Sequence, residues 1–140
     1  MRRPLLRLFL AVCVLTGAAA CGDDDEPTTP TEPTRPTVTE TFSGRVTVNG
    51  AQTHGFTATG SGRIDVTLTT LSPDSAVRVG LTLGTLNQLG ACQVVISNDN
   101  ATQGTLVAGN AGAAGNFCVR VHDVGQLAEP TEYTLTVVHF

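Results

Sequence analysis

Side chains able to carry out catalysis are few in this 140-residue chain, and they are widely spaced. None of the three histidines, His54, His122 and His139, has a partner at the short spacing that metal sites use. The stretch Gly60-Ser61-Gly62 lacks the G-x-S-x-G pattern that places a nucleophilic serine on a sharp turn. Carboxylates that could form a glycosidase pair lie at predicted strand or turn positions, namely Asp65, Asp74, Asp99, Asp123, Glu129 and Glu132. We therefore predict that the protein is not an enzyme.

The first 20 residues have the three parts of an export signal. Arg2, Arg3 and Arg7 precede an uncharged apolar run that ends near Leu15, and the small residues 17–20 follow it. The run is too short for a membrane span, which takes about 20 apolar residues. Residues 1–20 are therefore predicted to be a signal peptide, and the mature protein is expected outside the cytoplasm.

The residues Ala18-Ala19-Ala20-Cys21 resemble a bacterial lipobox, whose cysteine receives diacylglycerol and becomes the new N-terminus. The resemblance implies lipidation of Cys21, so that the protein meets the membrane through an N-terminal lipid anchor in the cell envelope. Gly22, rather than Asp, follows the cysteine, which favours the outer over the inner membrane in a cell that has both. The same Ala-x-Ala pattern also suits the ordinary signal peptidase, and a secreted or periplasmic protein is the alternative.

A polar segment separates the leader from the rest of the chain. From Gly22 to Thr37 it consists of Asp, Glu, Pro and Thr with one Gly and one Arg. Such a segment cannot offset its ordering entropy by burying apolar surface. We therefore predict an acidic, Pro/Thr-rich disordered tether over residues 21–38 and a folded domain over residues 39–140.

Charge excludes one class of partner. All eight basic residues are arginines, and three of them lie in the leader. The remaining five face twelve acidic residues, which gives the exported chain a formal net charge of −7. Because a negative chain without basic clusters repels phosphate backbones, no nucleic-acid partner is expected.

Two cysteines, Cys92 and Cys118, lie in the predicted domain. An isolated pair in an oxidising compartment normally forms a disulfide, and this pair would close a loop of about 27 residues. A metal or redox role would call for C-x-x-C spacing or nearby histidines, and the sequence has neither. A Cys92–Cys118 disulfide is therefore predicted.

Alternation of apolar and polar residues dominates residues 39–140. In one segment Ile64, Val66 and Leu68 alternate with polar residues, and the segment 77–83 repeats the pattern. Similar patterns recur at 42–48, 54–58, 92–97, 105–107, 116–124 and 132–139, with turn residues between them that include 98–100 and 109–115. About eight strands without helices predict an all-β fold, an antiparallel β-sandwich of jelly-roll or immunoglobulin-like type.

Three of these segments resemble the bacterial pre-peptidase C-terminal (PPC) domain: Gly62 to Leu68, Asn116 to Gly125 and Tyr133 to Val137. The resemblance covers about residues 40–140. It implies a jelly-roll-like, non-catalytic domain of the kind that usually follows secreted proteases, where some members bind calcium or collagen.

Of the ligands that members of this family bind, calcium is the one that the present sequence could also bind. Its oxygen donors would be Asn98, Asp99, Asn100 and Asp123, provided that their loops converge. The run Asn98-Asp99-Asn100 also suits a simple turn. No other cofactor is expected.

Aromatic residues are too few for a typical sugar-binding platform, since the chain has no Trp. We therefore predict a non-enzymatic cell-envelope lipoprotein whose β-sandwich is an accessory binding module for an envelope or extracellular protein. Two alternatives stay open. One is an accessory subunit or small hydrolase that acts on an envelope or extracellular substrate, and the other is a purely structural surface protein.

Overall fold

A computed structural model describes residues 36–140, and it shows an all-β domain. The predicted signal peptide, Cys21 and the tether as far as residue 35 lie outside the described residues. The eight strands are β1 (Val38–Val46), β2 (Ala51–Ala58), β3 (Gly62–Ser72), β4 (Val79–Leu86), β5 (Cys92–Ala101), β6 (Leu106–Ala111), β7 (Gly115–His122) and β8 (Thr131–His139). Within residues 36–140 no helix is long and apolar enough to cross a membrane.

The strands form two four-stranded antiparallel sheets. Sheet A has the order β1-β8-β3-β6, and sheet B has the order β2-β7-β4-β5. This is the strand order of a jelly roll, so the predicted all-β sandwich with about eight strands is confirmed. Among the described strands, β4 and β5 are the one pair that is consecutive in the chain and also hydrogen-bonded.

The core lies between the sheets and follows the alternation seen in the sequence. In β3 and β8, Val66 pairs with Val137 and Leu68 with Leu135, and all four side chains are fully buried. From sheet B, the buried side chains include Val79, Leu81, Leu83, Val119 and Val121. Burial of a Val or Leu side chain contributes about 1.5 to 3 kcal/mol, so these layers hold the two sheets together.

One predicted turn is wrong, and a second, predicted at 109–115, is confined to residues 112–114. Residues 98–100 belong to β5, where Asp99 and Asn100 together oppose Gly80 in a β-bulge. Residues 109–111 continue β6, because Gly109 lies against Leu83 so closely that a Cβ at residue 109 would come within 2.9 Å of it. Turn-forming residues therefore serve here as bulge and close-packing residues inside strands.

Ring stacking and hydrogen bonds of two histidines link the two sheets at the side of the sandwich formed by β1 and β2. The ring of His54 stacks on Phe42 at 5.1 Å, and its Nε2 is hydrogen-bonded to the Tyr133 hydroxyl at 2.7 Å. On the same strands, His139 Nε2 lies 2.8 Å from Glu40 Oε1. Burial lowers the pKa of His54 and raises the pKa of Tyr133 to about 12. These two histidines therefore have structural partners.

The lowered pKa of His54 predicts a loss of stability in mild acid. The unfolded chain takes up a proton at a pKa of about 6.5, whereas folded His54 resists protonation because it is partly buried. Its contribution to stability is therefore present above pH 6.5 and is lost as the pH falls below it. We expect the urea midpoint to fall between pH 7.5 and pH 5, and His54→Gln to reduce that fall. Equal falls in both proteins would contradict this assignment.

Candidate interaction surface

The turn between β4 and β5 is held by its own hydrogen bonds. The Asn87 carboxamide oxygen accepts the backbone N–H groups of Leu89 at 2.9 Å and Ala91 at 2.8 Å. Two backbone bonds close the same turn, from Asn87 N to Ala91 O and from Gly90 N to Asn87 O, both at 3.0 Å. Gly90 has φ +77°, a left-handed conformation that glycine adopts without cost. The tip of this hairpin is therefore a defined turn.

The predicted disulfide between Cys92 and Cys118 is confirmed, and it anchors this hairpin to β7. Strand β4 lies between β5 and β7, so their Cα atoms should be roughly 9.6 Å apart at ordinary strand spacing. The two Cα atoms are only 5.7 Å apart. The start of β5 is therefore drawn over β4 toward β7.

Gly84 of β4 makes that close approach possible. A Cβ on this residue would lie 2.1 Å from the backbone oxygen of Gln93 and 3.3 Å from the Cys118 sulfur. Real Cβ atoms do not approach a carbonyl so closely, so any side chain at this position would push β5 away. The position of the hairpin thus depends on the disulfide and on the bare backbone at Gly84.

The hairpin exposes three large apolar side chains. Leu89 at the tip is 92% exposed, and Val94 and Val95 on β5 are 57% and 66% exposed. Between Arg78 and Arg120 the chain has one charged residue, Asp99. Apolar exposure together with charge depletion is typical of the core of a protein interface.

An apolar cleft of about 250 Å³ lies beside Val95, between β5 and β6. Among the side chains that line it are Ile64, Leu83, Val95, Ile96, Ala111 and Phe117. Two successive β5 residues can face the same cleft because the register with β4 shifts between Leu83 and Gly84, which leaves Val95 in a bulge. We call Leu89, Val94, Val95 and this cleft the β4–β5 surface.

A serine, an aspartate and a histidine meet on the outer face of sheet B, but not in the order that catalysis needs. Ser97 donates a hydrogen bond to Asp99 Oδ1 at 2.9 Å, and His122 Nε2 lies 3.6 Å from the same oxygen. The carboxylate therefore lies between the other two groups. A nucleophilic serine needs its base within hydrogen-bond reach, and Ser97 has a carboxylate there instead of the imidazole.

One predicted calcium donor, Asp123, already has partners within the protein for both of its carboxylate oxygens. Asp123 Oδ2 accepts the backbone N–H of Asn49 at 2.8 Å, and its Oδ1 accepts those of Gly125, Gln126 and Leu127. The Asn49 bond is the main cause of the lowered pKa of Asp123. Its carboxylate therefore joins the turn after β1 to the loop after β7.

The other three donors lie on β5, and the two segments do approach each other. Asn98 Oδ1 accepts the backbone N–H of Asn100 at 2.9 Å, while Asp99 lies beside His122, the neighbour of Asp123. Across residues 36–140, no group of three or more His, Cys, Asp or Glu side chains is placed to hold a metal ion. Calcium binding by Asn98, Asp99, Asn100 and Asp123 stays a prediction.

Comparisons with known proteins give a structural likeness but no family. No protein-family model matches the chain, and no curated protein matches it. Among solved structures, the crystal structure of Aeromonas hydrophila PliG, a periplasmic lysozyme inhibitor of g-type lysozyme, is 16% identical in sequence. The match covers 71% of this chain and 83% of PliG, with a TM-score of 0.49. A likeness of this size carries no functional assignment, and membership of the PPC family stays a prediction.

Proposed function

We propose that this protein is a non-enzymatic binding module of the cell envelope, and that it docks a partner protein through the β4–β5 surface. The observation that carries the proposal is Leu89, which is 92% exposed on a turn held by four hydrogen bonds. An exposed leucine on a mobile loop would be unremarkable in a β protein. A leucine presented on a fixed turn is arranged as an anchor for a partner's pocket.

The energetics favour this arrangement. Moving a fully exposed leucine side chain into a partner's pocket gains about 1.5 to 3 kcal/mol. Ordering a mobile side chain or loop at an interface costs roughly 0.5 to 1.5 kcal/mol for each group immobilised. The Asn87 bonds and the Cys92–Cys118 disulfide already order the turn in the folded protein, so that much of this entropy is lost during folding and not on binding. More of the burial energy is then available for binding.

The proposed location is the cell envelope, with lipid on Cys21 as the anchor. The leader and the lipobox-like residues 18–21 support export and acylation. The disulfide supports an oxidising compartment, where such bonds persist. In this proposal the acidic tether holds the domain away from the membrane, and the β4–β5 surface meets proteins of the envelope or of the surroundings.

A photo-crosslinking amino acid at position 89 tests the proposal in cells that produce the full chain. The matched control position is Gln126, which is also exposed and whose backbone N–H is also bonded within a turn, to Asp123. We expect a single adduct of defined mass from position 89 and none from position 126. Adducts from both positions alike, or from neither, would contradict docking through this surface.

Once the adduct identifies the partner, two variants distinguish the contact made by the Leu89 side chain from the rigidity of the turn that presents it. Leu89→Asn should weaken binding at least tenfold, which is about 1.4 kcal/mol, while the unfolding free energy stays unchanged. Asn87→Ala keeps the leucine but frees two backbone N–H groups, so a weakening of about threefold to tenfold is expected. Hydrogen exchange at the Leu89 and Ala91 amides should rise in Asn87→Ala alone. Unchanged affinity in Leu89→Asn would show that Leu89 is not the anchor.

A further inference from the structure

The outer edge of β5 is an unpaired strand edge that is interrupted by the bulge at Val95 but has little other protection. In sheet B this strand pairs with β4 alone, so backbone groups along its other side have no strand partner. Edge strands are commonly shielded by charged side chains or proline, and residues 92–98 contain neither. The other edge strand of this sheet, β2, exposes no large apolar side chain, whereas β5 exposes Val94 and Val95. This edge is therefore suited to pairing with another strand.

The cleft beside that edge has the size of one side chain. Its volume is about 250 Å³, and its walls include Leu83, Ile96 and Phe117. An apolar cavity of about 150 Å³ is enough for benzene, while drug-sized ligands occupy roughly 300 to 1,000 Å³. A single Leu or Phe side chain therefore fits the space better than a whole cofactor does. Gly109 contributes to this space, since a side chain there would meet Leu83 and Ile96.

The lack of charged residues around the β5 edge indicates what kind of segment can bind there. The surface carries no charge from Val79 to Asn98, and residues 100–119 of the neighbouring strands and turn carry none either. A charged segment laid against it would lose hydration without gaining an opposite charge. At the far end, a second bulge at Asp99 and Asn100 interrupts the edge again and places a carboxylate there. The accessible edge is thus short and neutral, and it lies next to an apolar cleft.

We infer that the β5 edge binds an extended, uncharged segment of the partner protein as an added strand, with one bulky apolar side chain in the cleft. Main-chain hydrogen bonds to residues 93–97 would provide the pairing, and the cleft would provide the selection, as in other cases of strand addition. This inference rests on the proposed function for the existence of a partner. It adds the class of segment that is recognised and the place where it lies.

The test uses a neutral peptide, acetyl-Thr-Val-Leu-Val-Thr-amide, titrated into the isotopically labelled mature protein. We expect amide shifts confined to residues 93–97 and 109–113, with half-saturation near 1 mM, which corresponds to a binding free energy of about −4 kcal/mol. The same peptide with alternate backbone nitrogens methylated cannot donate the pairing bonds, and it should bind at least fivefold more weakly. Absence of shifts up to about 2 mM, or equal shifts along β2, would overturn the inference.

Two variants test the cleft itself. Ala113 lines the cleft and is exposed, so Ala113→Phe should fill the entrance of the cleft and weaken peptide binding at least tenfold. Ala128 is exposed in the loop before β8, and Ala128→Phe is the matched control, expected to stay within twofold. Equal affinities in the two variants would overturn the role of the cleft.

The two proposals can fail separately. Should position 89 yield its adduct while the peptide does not bind, strand addition is wrong and docking through the hairpin tip stands. Should the peptide bind while position 89 yields no adduct, the edge is a strand-binding groove and Leu89 is not the contact in cells.

Discussion

Replacing Cys92 with serine and Cys118 with alanine is expected to lower the free energy of unfolding by roughly 3 to 4 kcal/mol. The two residues are separated by 26 positions, and a cross-link of this span removes much of the freedom of the unfolded chain. Alanine is chosen at position 118 because Cys118 is fully buried, where a serine hydroxyl would need a hydrogen-bond partner. Urea unfolding at pH 7.5 measures the loss.

Reduction of the natural protein provides the control. With reductant present, the midpoint of the natural protein should move to that of the double variant, and the midpoint of the variant should not move. The variant should also lose hydrogen-exchange protection at residues 87–92 before the core strands do, because the start of β5 is then no longer tied to β7. Equal stability with and without the bond would mean that packing at Gly84 alone holds the hairpin.

The alternation that determines the sheets is visible in the sequence because it arises from local geometry. Side chains in a strand point to opposite faces in turn, so a sandwich needs apolar residues at every second position. Ile64, Val66 and Leu68 satisfy this need, and the structure buries all three. Pairing between β3 and β8, whose partners such as Leu68 and Leu135 lie far apart in the chain, is not a local property, and the sequence supports only the class of fold.

The candidate interaction surface could not be found from the same patterns. Leu86 and Leu89 lie three residues apart in an uncharged stretch, yet the first is half-buried and the second is almost fully exposed. The difference arises because Asn87 and Gly90 turn the chain away from the sandwich. One signal was available, namely the absence of charge from Val79 to Asn98, which is longer than a single buried strand requires.

Histidine roles were predicted in part. The sequence gives no reason to pair His54 with Tyr133 or His139 with Glu40, because these partners are 79 and 99 positions apart. It does indicate that the histidines lack metal-ligand spacing, and both contacts are structural.

The cysteine pair was predictable because only two candidates remain in the domain. The path of the disulfide across β4 follows from Gly84, and the local sequence does not distinguish this glycine from other strand glycines.

Gly84→Ala is expected to destabilise the protein by about 3 kcal/mol, although it adds one methyl group. The added carbon would lie 2.1 Å from the Gln93 backbone oxygen, and a backbone carbonyl cannot rotate away as a side chain can. Relief therefore means separating β5 from β4, which disrupts the pairs Gly84↔Val94 and Thr85↔Gln93. Urea unfolding measures the loss, and the amide shift of Gln93 reports the displacement.

Gly55→Ala is the matched control, because Gly55 and Gly84 flank Cys118 on its two sides in sheet B. A Cβ at position 55 would meet its nearest atom, the Leu86 side chain, at an ordinary 3.4 Å. This variant should therefore stay within about 0.5 kcal/mol of the natural protein. If position 89 is the docking contact, the yield of its cross-linked adduct should fall in Gly84→Ala and stay unchanged in Gly55→Ala, because only the first substitution moves the hairpin. Equal stability of the two variants would contradict the close approach of β5 to β4, and with it the physical basis for a fixed hairpin tip.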